Sequence, residues 1–203
     1  MRQRKISDQD ISKAIASRVA QSSSRRDRQH RKEKVEPEIS GLSIDQLTAS
    51  AIEFLQAGRR SAAAALFEAA RRDNASDSEV RNNYGFCILP DDPQGGLREI
   101  HAAQELGFIH TGVTLANRMY GLFLLKRFAS ALEAAEKLWN EDHVDHSAYL
   151  WDWRKEPENT TIVQMSPRHY VVQFALDIAE ATGDLHRAAL WAARAESCGL
   201  PRD

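Results

Sequence analysis

From residue 43 onward, apolar residues recur at intervals of three and four, the spacing that lines one face of a helix. The stretch "IDQLTASAIEFLQAG" (44–58) carries Leu47, Ala51 and Phe54 on one stripe, and "GRRSAAAALFEAARRDNASD" (58–77) carries Ala63, Phe67 and Ala70. A small, a bulky and a small residue at those intervals suit a helix that receives its neighbour closely. A third helix is predicted from near Ser78, with Tyr84 and Gly85, and "LPDDPQGG" follows as a turn in which Pro90 and Pro93 halt it. Its partner is "GLREIHAAQELG", with Gly96, Ile100 and Ala103. "GVTLANRMYGLFLLK" (112–126) and "KRFASALEAAEKLW" form another pair, carrying Leu115, Asn117, Met119, Leu122, Ala131, Ala135 and Leu138. "VVQFALDIAEATGDLHRAALWAARAESCGLP" supplies a last pair with Ala175, Gly183, Ala188, Ala192, Ala195 and then Pro201. Two strand-like runs, "AYLWDW" and "TTIVQM", separated by "RKEPEN", predict a small β-hairpin before that last pair.

The helix pairs keep time. A shift of 68 residues, twice 34, lays Ala63 on Ala131, whereas 57 residues separate Ala131 from Ala188. An insert of about 23 residues, roughly His143 to Met165, accounts for the difference. With Leu47, Ala51 and Phe54 on a first helix, Gly58 at the turn, and Ala63, Phe67 and Ala70 on a second, the chain resembles the tetratricopeptide repeat, a helix–turn–helix unit of 34 residues. Ala75 stands where that family usually has proline. The resemblance covers residues 44–201 apart from the insert. It implies an all-α fold: a right-handed α-solenoid of about four helix pairs, each leaving an apolar face for the next to cover.

Residues 1–40 lie outside this periodicity. "SDQDISKAIASRVA" reads as a short amphipathic docking helix: Ser7 caps it, Asp10 takes the capping-box position, and Ile11, Ile15 and Val19 line one stripe. "QSSSRRDRQHRKEKVEPE" beyond it reads as a polar, charged tether. The overall charge of −2 hides an asymmetry: residues 1–34 hold 11 Lys or Arg against 4 Asp or Glu, and the rest of the chain holds 16 against 25. A basic arm on an acidic body suits phosphates, an acidic partner, or its own body. The arm carries no Phe, Tyr or Trp to stack on bases, and acids interrupt it at Asp27 and Glu33, so a solvated linker is the first expectation and nucleic-acid contact the lesser one.

Composition changes little. A hydrophobic share of 42% with 28% charged residues is that of an ordinary globular chain. No apolar run approaches the length of a membrane span, and "MRQRKISDQD" does not open a secretory signal. Cys87 and Cys198 stand far apart in helical patterns, where cysteine acts as a small hydrophobe, so a reducing cytoplasm is expected and the sequon at Asn159 is discounted.

The segment "NEDHVDHSAYLWDW" (140–153) concentrates the candidate chemistry. His143 and His146, among Glu141, Asp142 and Asp145, would share one side of a helix. Two imidazoles without a third ligand fall short of a zinc site, so solvated helix-end residues are expected and neither metal nor other cofactor is invoked. The remaining histidines, 30, 101, 110, 169 and 186, are scattered, and no nucleophile elbow, P-loop or dinucleotide fingerprint is present. The chain is therefore read as non-enzymatic. Tyr149, Trp151 and Trp153 gather large aromatic surface on the insert, either as packing or as a contact surface for a partner.

In the tetratricopeptide family the first helix of each pair lines a concave groove that holds peptides. The resemblance places Asp45, Thr48, Ile52 and Leu55 in that groove from the first pair, and Glu79, Asn82, Asn83 and Phe86 from the second. Val113, Ala116, Asn117 and Tyr120 follow from the third. Several are apolar, which suits an amphipathic or an extended peptide, unless the chain's own N-terminal helix or insert fills the groove. The carboxylate clamp of relatives that bind chaperone tails is absent, because Thr48, Ile52, Val113 and Asn117 occupy its places; Asn83 and Asn117 remain able to hydrogen-bond backbone amides. The functional expectation is an adaptor or scaffold, a subunit of a hetero-complex with another protein and with no membrane. The alternatives are a small chaperone for a partner protein and a nucleic-acid-associated factor acting through the arm.

Overall fold

The computed structural model describes residues 41–141, 146–155 and 161–200. The arm with Ile11, Ile15 and Val19, and His143 of the insert, lie outside the described residues. The rest is mostly helical, with one small sheet. Eight helices run along the described residues: α1 (Ile44–Gln56), α2 (Arg60–Asp73), α3 (Ser78–Ile88), α4 (Pro93–Glu105), α5 (Thr111–Leu124), α6 (Phe128–Trp139), α7 (Pro167–Ala181) and α8 (Leu185–Ser197). Strands β1 (Ala148–Trp151) and β2 (Ile162–Met165) lie between α6 and α7.

The starts follow from local chemistry. Ser43 and Gln46 exchange side-chain-to-backbone hydrogen bonds in a capping box at α1. Asp77 accepts from the Glu79 and Val80 amides at α3, and Asp184 from the Arg187 amide at α8. The sequence pattern begins the fourth helix at Gly96; it begins three residues earlier. Pro93 is well suited to a first helical turn, where no amide hydrogen is needed, and Asp92 caps Gly95.

Three pairs turn through a residue in the left-handed region that closes the preceding helix. Gly58 and Gly183 do so at φ +70° and +71°. The α5–α6 turn uses Lys126 instead, at φ 57°, with the Lys126 amide donating to Phe123 O and the Arg127 amide to Leu122 O. Such short connections hold successive helices as antiparallel neighbours, and each packs mainly on the helices before and after it in the chain. The crossings are close because small residues sit there: Ala51, Ala63, Ala70, Ala103, Ala131 and Ala135 are fully buried. Between α3 and α4 the approach needs glycine, since a Cβ on Gly85 would stand 2.9 Å from the Gly96 carbonyl oxygen.

β1 and β2 pair antiparallel, Ala148 opposite Met165 and Trp151 opposite Ile162. No helix of the described residues is long and apolar enough to cross a membrane.

Candidate partner groove

The first helix of each pair contributes to one face, and the β-hairpin lies on it. Trp151 is the anchor. Its indole stacks on Phe86 of α3 with ring centroids 4.6 Å apart, and Tyr120 of α5 follows at 6.2 Å. The Trp151 Nε1–H donates to the Phe86 carbonyl at 2.9 Å. That acceptor would ordinarily receive the amide of residue 90, four positions on, but Pro90 has no N–H. The next carbonyl, Cys87 O, receives Arg60 Nη1 at 3.0 Å, and Ile88 O receives the Asp91 and Asp92 amides. The helix end that proline leaves open is thus closed by a residue 65 positions away.

The hairpin is held on its other side by α7. Tyr170 donates its hydroxyl to Trp151 O at 2.6 Å. Trp153 meets Tyr170 and Phe174 edge-on, with centroids 4.7 and 5.0 Å away, and its Nε1–H reaches Asp177 Oδ2 at 2.7 Å. Burial, with Tyr120 and the Asp152 carboxylate nearby, drives the Tyr170 phenol well above its usual pKa, so it stays a neutral donor. Trp151 and Trp153 are therefore enclosed by their own chain, at 1% and 8% exposure. This corrects the reading of both as a contact surface: a mostly apolar hairpin spanning a helical face buries its large rings there. Tyr149 alone of the three is exposed.

The hairpin packs on α5 and α7 and, through Trp151, on the end of α3 at Phe86, and leaves space beside it against α1 and the rest of α3. A cleft of about 300 Å³ remains, walled by Ile52, Leu55 and Gln56 of α1 and by Glu79, Asn82, Asn83 and Phe86 of α3. Val113 and Asn117 of α5 complete its floor, and Ala148, Tyr149 and Ile162 of the hairpin form the opposite wall. A second cleft of about 270 Å³ continues along Leu55, Gln56, Gly58 and Arg60 to Thr161, Ile162 and Gln164.

Most of the groove positions named from sequence thus meet at one place. The exceptions are Asp45, Thr48, Ala116 and Tyr120, which do not line the cleft: Asp45 is exposed on α1, Ala116 is buried in the helix core and Tyr120 lies under Trp151. Thr48 is half-buried, and its enclosed hydroxyl has no hydrogen-bond partner among the described residues. Phe108 and His110, in the α4–α5 connection, also line the cleft. Sequence reasoning missed them because they belong to no helix; the apolar run "LGFIH" between two helices was their only signal.

Gln56, Glu79, Asn83 and His110 add polar groups to the cleft, and two buried amides lie behind it. Asn82 and Asn117 are 2% and 1% exposed, and neither Asn82 Oδ1 nor Asn117 Nδ2 has a partner among the described residues. An unpaired buried polar atom costs about 1–3 kcal/mol, and both atoms are closed to solvent. Among the described residues, no group of three or more His, Cys, Asp and Glu is placed to hold a metal ion, and His146 is exposed. Comparison with protein-family models, with curated proteins and with solved structures finds no match to the chain.

Proposed function

We propose that this chain is a non-enzymatic interaction module, a tetratricopeptide-like right-handed solenoid that holds a segment of a partner protein in the cleft between α1, α3 and the hairpin. The observation that carries this reading is the cleft itself. It has apolar walls, it is open to solvent beside exposed Tyr149, and Gln56, Glu79 and Asn83 add polar groups to its lining. A peptide segment offers such a lining both apolar side chains and amide groups. The order of helix pairs, the small residues at their crossings and the left-handed turn residues support the repeat reading.

The test is direct. Full-length protein is screened against an immobilised library of random dodecapeptides, and the peptides it retains are measured in solution against Leu55→Glu. Leu55 is half-buried and borders both clefts while its inner side meets the core, so a carboxylate there intrudes on the space, and a melting temperature within about 5 °C of the native one shows that the fold is kept. Retained peptides should weaken tenfold or more. Equal binding by both proteins, or no retained peptide, would remove this reading.

A further inference from the structure

The hairpin not only narrows the groove but also presents a strand edge to it. The Asp152 amide donates to Thr161 O at 2.9 Å, which makes that facing pair hydrogen-bonded. Pairs alternate along an antiparallel ladder, so Leu150 and Val163 bond to each other while Tyr149, Trp151, Ile162 and Gln164 turn their backbone groups outward. On β1 this is visible: Trp151 O points away from β2 and takes the Tyr170 hydroxyl. β1 also lies against α5, whereas β2 packs mainly on β1. The outward amides and carbonyls of Ile162 and Gln164 make no hydrogen bond among the described residues. Ile162 borders both clefts and Gln164 borders the second, so this edge adjoins the open trough.

Space limits what can enter. A helix with its side chains is about 10–12 Å across, whereas a cavity of about 150 Å³ holds one benzene ring. The main cleft, at about 300 Å³, thus takes about two such groups, enough for a few side chains of whatever lies along it, and the unpaired β2 edge beside it selects an extended backbone. We infer that the occupant is an extended segment of another protein, which adds to the outer edge of β2 as a third strand. Its alternate side chains enter the cleft between Ile52, Leu55 and Phe86. This rests on the partner-groove reading and specifies it. The chain's own arm is the poorer fit: Ile11, Ile15 and Val19 recur every fourth residue, a helical stripe, with Lys13 and Ser17 between them on the same side of any strand. Unpaired strand edges are templates of this kind, and strand addition is a recurrent way of binding peptides.

The experiment reads the hydrogen bonds themselves. A dodecapeptide retained by the full-length chain is resynthesised with each amide N-methylated in turn, and each version is titrated against full-length protein and Gln164→Pro. Proline is tolerated on an edge strand where its nitrogen faces outward, so this substitution removes one outward donor and keeps the β1–β2 ladder. The inference expects tenfold or greater losses at alternate amides across about four residues, and a loss of similar size with Gln164→Pro. Should Gln164→Pro lower the melting temperature by more than about 5 °C, the alternation in the N-methyl series decides alone. A peptide sensitive to Leu55→Glu but without that alternation overturns strand addition and leaves the groove reading standing. Failure to retain any peptide overturns both. If removal of residues 1–40 tightens binding tenfold and a peptide of residues 5–20 shows the same alternation, the occupant is the chain's own arm and the foreign strand is overturned.

Discussion

Replacing Trp151 by phenylalanine removes the bond that closes α3, together with part of a buried ring. The ring stack on Phe86 is largely kept, but the indole N–H that reaches Phe86 O at 2.9 Å is lost. The carbonyl is then buried without a donor, which costs about 1–3 kcal/mol. Trp151→Ala also removes the packing of a fully buried ring and should cost about 3–5 kcal/mol. The decisive comparison adds Pro90→Ala. Leu89 keeps helical angles, φ −45° and ψ −46°, so an alanine amide at position 90 would point at Phe86 O as in any continuing helix. In the Trp151→Phe background it supplies the missing donor; in the native background that place is taken. The effect of Pro90→Ala on the unfolded chain is common to both and cancels in a double-mutant cycle. Urea unfolding of the four proteins should give a coupling of about 1 kcal/mol or more, with Pro90→Ala more favourable beside Phe than beside Trp. A coupling indistinguishable from zero would show that the carbonyl does not depend on the indole.

Other expectations follow from single positions. Ala63 is fully buried at the close face of α2, so Ala63→Trp should destabilise by about 3 kcal/mol or more, read as a fall in melting temperature; a native-like melt would contradict the crossing. Lys126 holds a left-handed conformation that costs about 1–2 kcal/mol for an L-residue, and Lys126→Gly should recover up to about 1 kcal/mol, whereas no change or a loss would mean its side chain contributes elsewhere. Burial pushes the Cys87 thiol up and, with its neighbours, the Tyr170 phenol. The folded protein therefore keeps protons that the unfolded chain releases above its ordinary values of 9.0 and 10.0. Stability should be flat below about pH 8.5 and then fall, by at most about 1.4 kcal/mol per pH unit for each group, steepening once tyrosine ionises. Urea titrations from pH 7 to about 10.5 check this, and Cys87→Ala should remove the earlier part of the slope; an unchanged slope would reassign it.

The helices were legible because their signals are local. Ser43, Asp77 and Asp184 stand where caps belong, and the three- and four-residue spacing of Leu47, Ala51 and Phe54 is that of a buried stripe. The strands of the insert could also be read, from β-branched and aromatic runs on either side of a polar one. Where the hairpin lies could not, because Trp151 and Trp153 are identical in kind and nothing in their neighbours says that one closes α3 and the other meets α7. Pro90 did carry half of that information: a proline one turn beyond Phe86 leaves a carbonyl needing a donor from elsewhere. The cleft was legible where it rests on helical register, at Ile52, Asn82 and Asn117, and illegible where a connection supplies it, at Phe108 and His110.

A row of hairpins that touch only their immediate neighbours can melt from its ends inward, one unit at a time. The indole bond from Trp151 to Phe86 spans 65 residues and reaches past a whole intervening pair. It ties the second pair to the insert, and Tyr170 ties the insert to the fourth. The stretch from α3 to α7 should then open as one cooperative unit, with matching amide-exchange free energies, while α1 and α8 fray separately. The cost of that tie is kinetic: it raises the sequence separation of the contacts in the middle of the chain, which should slow folding relative to a row of helix pairs without it.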